Sequence, residues 1–326
     1  MQVNGLHHVT AVASEPDRNL SFYTDVLGLR FVKRTVNFDD PTTYHLYYGN
    51  EAGDPGTVLT FFPFGTTRQG QPGRGQATRT AFVVPDGSLE YWRDRFAERG
   101  VDHDDPAERF DERVLRFEDP DGQPLALVTG ESDVEPWADG PVPEDHAIRG
   151  FHGVELASAD VDATADVLGV LGYERVAEAD DRARYAVDGD RATVIDLVTG
   201  DGQPGRPGSG TVHHVAVRAE DERAQDEWRK RLRDAGQRVT QRKDRRYFQS
   251  VYFREPGGIL FEIATEEPGF TCDESVDELG TDLQLPPWLE DDRETIEAQL
   301  EPLEPPARAD DEAGAKAETE AEAEGI

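Results

Sequence analysis

An internal repeat constrains this chain more than any other feature of its sequence, because four similar units must share one architecture. Each unit is predicted to open with a strand, to continue into an amphipathic helix that ends near a glycine, and to close with an apolar strand. The opening strands are predicted at Leu6–Ala13, Arg79–Asp86, Phe151–Ser158 and Val212–Ala219. The closing strands are predicted at Thr57–Phe62, Pro124–Thr129, Thr193–Val198 and Ile259–Ala264.

The repeating unit is a βαβββ module of about 50 to 60 residues, which is too small to cover both faces of its own sheet. Two modules are therefore expected to pair and to close their curved sheets around a cup. The predicted fold class is α+β, with four βαβββ modules forming two cup-like curved mixed β-sheets. The domain prediction assigns modules one and two to residues 1–130, and modules three and four to residues 150–268.

Three segments fall outside the repeat. Residues 131–149 are rich in Asp, Glu and Pro, and they are predicted to link the second and third modules. Residues 269–306 are predicted to be a C-terminal extension that packs back on the body. Residues 307–326 form an acidic tail without apolar periodicity, so we expect this tail to be disordered.

The chain of 326 residues carries a net charge of −34, from 68 acidic and 34 basic residues. This excess argues against nucleic acid and anionic membranes as partners, and it is typical of a halophilic protein kept soluble at high salt. The single cysteine, Cys272, excludes an internal disulfide and fits a reducing cytoplasm. No apolar stretch approaches the length of a membrane span. The oligomeric state stays open, and a homo-oligomer is compatible with the sequence.

A histidine pair, His7-His8, stands at the start of the first module and recurs as His213-His214 at the start of the fourth. Glu262 is the only charged residue of the last closing strand, where an unpaired carboxylate would be costly. An ion pair with a neighbouring arginine would satisfy it, and so would a metal. Two histidines and one carboxylate are the usual protein cage for non-haem Fe(II), which keeps positions open for substrate and dioxygen.

Side chains alternate between the faces of a strand, so one histidine of each pair is expected to face the cup. Alternation does not decide whether the set is His8 and His214 or His7 and His213. The closing strand of the first module, Thr57–Phe62, carries no carboxylate, so no fourth ligand is expected. Three protein ligands favour a dioxygenase over a metal-hydrate isomerase.

The second cup, from modules two and three, is predicted to be a poor metal site. It retains His152 and Asp196, but Thr80-Ala81 stands where the second module would need a histidine. Two ligands do not make a transition-metal site, so packing without a cofactor is the interpretation that we favour.

Further motifs resemble one known family. They are Leu29–Thr35, Tyr44–Tyr47, Asp244–Phe248, Ser250–Arg254, Gly257–Glu262 and Glu267–Phe270. Together with the histidine pairs, they make the chain similar to the vicinal oxygen chelate superfamily of glyoxalases, bleomycin-resistance proteins and extradiol dioxygenases. Within it, the chain resembles the dioxygenases that cleave para-hydroquinones, of the 2,6-dichlorohydroquinone 1,2-dioxygenase type. The resemblance covers nearly the whole chain ahead of the acidic tail.

The resemblance implies an Fe(II) cofactor with His8, His214 and Glu262 as its ligands, although the sequence does not distinguish iron from manganese. It also implies roles beside the metal or against the substrate for His7, Thr10, His213, Arg245 and Tyr252. The expected partners are dioxygen and a small hydroquinone-like or catechol-like aromatic diol, whose ring is cleaved. Two alternatives stay open: a glyoxalase-like metal-dependent lyase or isomerase, and a non-catalytic protein that binds a small aromatic compound or drug.

Overall fold

The computed structural model describes residues 2–65, 68–179, 181–199 and 202–305 of the chain. The predicted acidic tail, residues 307–326, lies outside the described residues. Within these ranges the chain forms sixteen strands and five α-helices. No helix of the described part is long and apolar enough to cross a membrane.

The first half of the chain contributes eight strands: β1 (Leu6–Ala13), β2 (Arg30–Asn37), β3 (Asp40–Gly49), β4 (Val58–Pro63), β5 (Gln76–Val84), β6 (Ala107–Arg109), β7 (Glu112–Glu118) and β8 (Pro124–Thr129). The second half contributes β9 (Phe151–Ala157), β10 (Glu174–Ala179), β11 (Arg182–Ala186), β12 (Val194–Val198), β13 (Thr211–Ala219), β14 (Lys243–Asp244), β15 (Phe248–Arg254) and β16 (Leu260–Pro268). The helices are α1 (Pro16–Ser21), α2 (Leu89–Arg99), α3 (Val161–Leu171), α4 (Glu222–Asp234) and α5 (Arg293–Glu297).

Two mixed eight-stranded sheets confirm the predicted fold class. The first sheet has the strand order β14-β15-β16-β13-β1-β4-β3-β2 and combines the first and fourth modules. The second has the order β10-β11-β12-β9-β5-β8-β7-β6 and combines the second and third. In each sheet the two opening strands pair antiparallel at the centre, and each opening strand pairs parallel with the closing strand of its own module. The two histidine pairs therefore lie on neighbouring strands.

The pairing of β1 with β13 contains two irregularities in register. In β1 the additional residue is His7, and in β13 it is His213, so each bulge falls on the first histidine of its pair. A bulge changes the direction of side chains and interrupts alternation. The two histidines of each pair therefore do not have to point to opposite faces of the sheet.

The predicted bounds of the opening and closing strands are met within three residues, with one exception at the end of the last strand. The last strand continues to Pro268 instead of ending at Ala264, because β15 keeps pairing with it as far as Phe248. The first helix is split, since α1 passes into a π-helical turn at Phe22–Val26. At the ends of α2 and α3 the predicted glycines, Gly100 and Gly172, adopt the left-handed conformation that terminates a helix.

A buried lysine ties the C-terminal extension to the first sheet. Lys33 of β2 is fully buried, and its Nζ donates to Asp273 Oδ1 at 2.6 Å and to the Glu274 carboxylate. The same ammonium lies 5.0 Å from the centre of the Tyr247 ring. Phe270 packs on Tyr247 beside it and on Tyr47 of β3, so the extension is fixed against the first sheet.

Candidate active site

Three possible ligand atoms from three neighbouring strands converge in the first cup. His8 Nε2 of β1 lies 3.2 Å from His214 Nε2 of β13 and 3.5 Å from Glu262 Oε2 of β16. His214 Nε2 lies 2.9 Å from the same carboxylate oxygen. All three side chains are buried, and Glu262 is completely so. The structure thus brings the predicted ligand residues together as a candidate metal site.

The surroundings of Glu262 fit a metal better than an ion pair. Its Oε2 is buried and has no hydrogen-bond partner, although it faces two imidazole nitrogens. Within the described ranges it forms no ion pair with an arginine or lysine. A buried carboxylate without compensation is costly, whereas a divalent cation would satisfy this oxygen and both nitrogens together.

The second oxygen of Glu262 is held by the neighbouring strand, where Ser250 Oγ donates to Oε1. Burial alone would raise the pKa of Glu262, but His8 and His214 outweigh it and hold the pKa well below its usual range. The carboxylate is therefore ionised and oriented, as a metal ligand must be.

His7 fixes the protonation pattern of His8. Its Nε2 lies 3.0 Å from the Thr265 carbonyl, which can only accept, so this nitrogen carries the hydrogen. Burial and the neighbouring His8 lower the pKa of His7 to about 3, and its ring is neutral. Its Nδ1 then accepts from His8 Nδ1, 3.0 Å away. With Nδ1 used in this way, His8 can present the lone pair of its Nε2 to a metal, which is the form of imidazole that binds metals.

The second histidine pair repeats this contact, since His213 Nδ1 lies 2.8 Å from His214 Nδ1. If His214 keeps its Nε2 lone pair for a metal, it donates from Nδ1, and His213 carries its hydrogen on Nε2. Unlike His7, His213 lines the cavity beside the candidate metal site, where its ring meets Phe62 edge-on at 5.8 Å. Burial and His214 lower the pKa of His213 to about 3.

Arg245 and Tyr252 also line this cavity. Arg245 Nε donates to the Tyr252 hydroxyl at 3.1 Å, so that oxygen accepts and its hydrogen is available to an acceptor in the cavity. Burial and the charge of Glu262 raise the pKa of Tyr252, so its hydroxyl remains protonated. The Tyr252 ring lies 5.7 Å from the His214 ring, which places this donor beside the ligands.

Thr10 is fully buried and does not line the cavity. Its hydroxyl lies 2.8 Å from Thr60 Oγ1, which in turn lies 2.8 Å from His45 Nε2. His45 Nδ1 continues the chain to the Tyr47 hydroxyl at 2.7 Å. The last two side chains do line the cavity, so Thr10 reaches it only through a row of hydrogen bonds.

The cavity has a volume of about 220 Å³. An apolar cavity of about 150 Å³ is large enough for benzene. This one therefore has room for a single ring with small substituents. Four aromatic side chains form its apolar walls: Phe38, Phe62, Phe64 and Phe248.

The sequence pattern of the Glyoxalase/Bleomycin resistance protein/Dioxygenase superfamily matches residues 5–127 and 145–263. The chain belongs to this superfamily. MhqO of Bacillus subtilis, which is named as a ring-cleaving dioxygenase, is 47% identical over 302 residues, 92% of this chain and 96% of the relative. The chlorohydroquinone/hydroquinone 1,2-dioxygenase of Sphingobium indicum is 34% identical over 303 residues, 89% of this chain and 93% of the relative.

Solved structures of the superfamily agree with the fold. A crystal structure of a Bacillus subtilis protein named as a dioxygenase has a TM-score of 0.91 and 46% identity, and covers 94% of this chain and 99% of that one. Glyoxalase I from Zea mays has a TM-score of 0.59 at 15% identity, covering 80% of this chain and 92% of that one, and this likeness concerns the fold alone.

The second cup of this superfamily member holds ion pairs in place of a metal site. Asp196 of β12 occupies the place that Glu262 has in the strand register, but Arg184 approaches its two oxygens at 2.8 and 3.0 Å. His152 pairs instead with Glu112 at 2.8 Å. No second group of metal-binding side chains converges in the described part of the chain.

Among the residues at the site that the sequence prediction did not assign, Ser250 and Asp39 contact charged side chains of the site. Ser250, which bonds to Glu262, lies two positions before Tyr252 on β15, so strand alternation could have found it. Asp39 lies in the turn between β2 and β3 and lines the cavity. Nothing in its local sequence distinguishes Asp39 from an ordinary turn residue.

Proposed function

We propose that this protein is an Fe(II)-dependent dioxygenase that opens the ring of a small aromatic diol, and that it prefers para-hydroquinones to catechols. The observation that carries the proposal is the set of His8, His214 and Glu262 in the wall of an aromatic, single-ring cavity. The dioxygenase names of the relatives support the reaction class. The hydroquinone named for the Sphingobium relative supports the substrate class.

Fe(II) held by these three residues would supply the electron-transfer chemistry that dioxygen needs to react with an aromatic ring. Three protein ligands would leave coordination positions free for substrate and dioxygen. The four phenylalanines of the wall hold the ring and exclude water, which strengthens every electrostatic contact inside.

The polar side chains of the cavity are assigned to hydrogen bonding with the substrate and to stabilising negative charge on it. His213 lines the cavity, and in the tautomer described above its Nε2 is a hydrogen-bond donor for a substrate oxygen. The Tyr252 hydroxyl donates towards negative charge that develops on the ring oxygen, and the Arg245 guanidinium behind it stabilises the same charge. A para-diol can offer a metal only one oxygen, so its ring depends on these groups for orientation.

The alternative of a glyoxalase-like isomerase is less well supported. A second carboxylate ligand would come from the position of β4 that is equivalent to Glu262 in β16, and strand register assigns that position to Thr60. The Thr60 hydroxyl is already engaged with Thr10 and His45. The open coordination that results favours binding of a diol and dioxygen together.

Replacing Tyr252 by phenylalanine should lower kcat/KM for para-hydroquinone about 100-fold, because it removes one donor to developing charge. A catechol chelates through two oxygens, so its turnover should fall less than about tenfold. Oxygen uptake by the iron-loaded protein with both substrates measures this difference. Tyr185→Phe, on the second sheet, is the matched control and should leave both values unchanged.

Two outcomes would contradict the proposal. Absence of oxygen uptake over a panel of hydroquinones and catechols, with one iron bound per chain, would remove the dioxygenase assignment. A clear preference of the wild type for catechol would retain ring cleavage but overturn the para-hydroquinone assignment.

A further inference from the structure

Two segments far apart in sequence meet at the cavity through a single carboxylate. Asp39, in the turn between β2 and β3, accepts from Arg245 Nη2 at 2.7 Å and lies 3.2 Å from Lys243 Nζ. Asp39 and Arg245 are 206 residues apart in the chain. Both line the cavity, so this contact joins the first and fourth modules where substrate would bind.

The guanidinium of Arg245 has two anchors. One nitrogen, Nε, donates to the Tyr252 hydroxyl, and another, Nη2, donates to Asp39. Among the described residues, Asp39 provides the only carboxylate that Arg245 pairs with. An arginine side chain has many rotamers. Two hydrogen bonds from different nitrogens of the planar guanidinium select one of these rotamers. Without Asp39, the guanidinium would be free to turn away from Tyr252.

A contribution to folding does not explain this contact well. The Asp39 side chain is 59% exposed and that of Arg245 is 17% exposed, and ion pairs with an exposed member contribute little to stability. Orientation of a charged group beside the reacting ring, in contrast, is sensitive to small displacements.

We propose that Asp39 is a positioning residue for ring opening, and that it holds Arg245, and through it the Tyr252 hydroxyl, against the substrate. This inference rests on the proposed function. It predicts that the charge of Asp39 acts through Arg245 alone, and that Lys243, which contacts the same carboxylate but not Tyr252, is dispensable.

Asp39→Asn keeps the shape of the side chain and removes its charge. We expect it to lower kcat/KM for para-hydroquinone about tenfold, mainly through kcat, with iron content and melting temperature unchanged. Asp39→Glu, which restores the carboxylate, should recover at least half of the loss on a logarithmic scale. Lys243→Gln and Asp40→Asn are the matched controls, since the Asp40 side chain, within the described part of the chain, bonds to Thr42 at the start of β3. Both controls should keep the wild-type values.

A double-mutant cycle separates positioning from a general structural effect. If Asp39 acts through Arg245, Asp39→Asn should cost less than about twofold in an Arg245→Gln background. An equal loss in both backgrounds, or an equal loss in Lys243→Gln, would overturn the inference. So would wild-type kcat/KM in Asp39→Asn, if the wild type itself consumes oxygen with hydroquinone. A wild type that consumes none would instead defeat the proposed function, and the role of Asp39 with it.

Discussion

Replacing His8 or Glu262 by alanine is expected to abolish iron binding and oxygen consumption while the chain stays folded. Both side chains supply a ligand atom to one site, and a site with two remaining ligands binds a divalent ion weakly. The wild type should bind about one iron per chain, because the described part of the second cup offers no comparable group. Elemental analysis, oxygen uptake and circular dichroism of the purified variants measure the three quantities.

A histidine outside the cup serves as the control for this experiment. His103 contacts the Val101 carbonyl after α2 and bridges to Phe117 of the second sheet, so His103→Ala should keep both iron and turnover. If His8→Ala retained full iron content and full activity, the assignment of the three ligands would be wrong. Loss of iron together with loss of the circular dichroism signal would mean that the metal is needed for folding.

Replacing Lys33 by methionine should destabilise the protein by about 3 kcal/mol, the largest stability effect that we expect from one substitution. The change removes the ammonium from the buried Glu274 and from the partly buried Asp273, of which Asp273 keeps a contact with Arg246 at 3.4 Å. Removing one member of a buried ion pair is costly because the other charge stays desolvated. Urea denaturation measures the free energy of unfolding of the variant and of the wild type.

Lys230→Met is the matched control, since Lys230 forms an exposed pair with Asp234 on α4. Its effect should stay within about 0.5 kcal/mol. A Lys33→Met variant as stable as the wild type would show that the C-terminal extension does not depend on this lysine.

The repeat predicted the architecture correctly because each module alone lacks partners for its sheet, and pairing of modules is the solution available to it. Glu262 could be found because a lone charge in an apolar strand needs a partner. The choice between His7 and His8 could not be made, since the bulges at His7 and His213 come from strand register and not from local sequence. The domain limits at residues 130, 149 and 268 remain predictions.

Asp39 illustrates what a single sequence cannot reveal. Its contact with Arg245 joins residues of the first and fourth modules, and only the closed first sheet brings them within hydrogen-bond distance. Turn residues are usually acidic or polar for local reasons, so composition gives no sign of a distant partner. Ser250 is different, because alternation on β15 already assigns it to the face of Tyr252.

In the second cup, arginine side chains act as the counterions of the buried carboxylates. Because they belong to the chain, these counterions cannot diffuse away. Arg184 and Arg109 neutralise Asp196 as part of the chain itself, whereas Glu262, in the proposed metal site, would depend on a cation from solution. A chelator should therefore abolish the oxygenase activity without unfolding the second sheet. If the proposed iron site is correct, the second sheet would keep its form without the metal, and the metal-free protein could take up iron again.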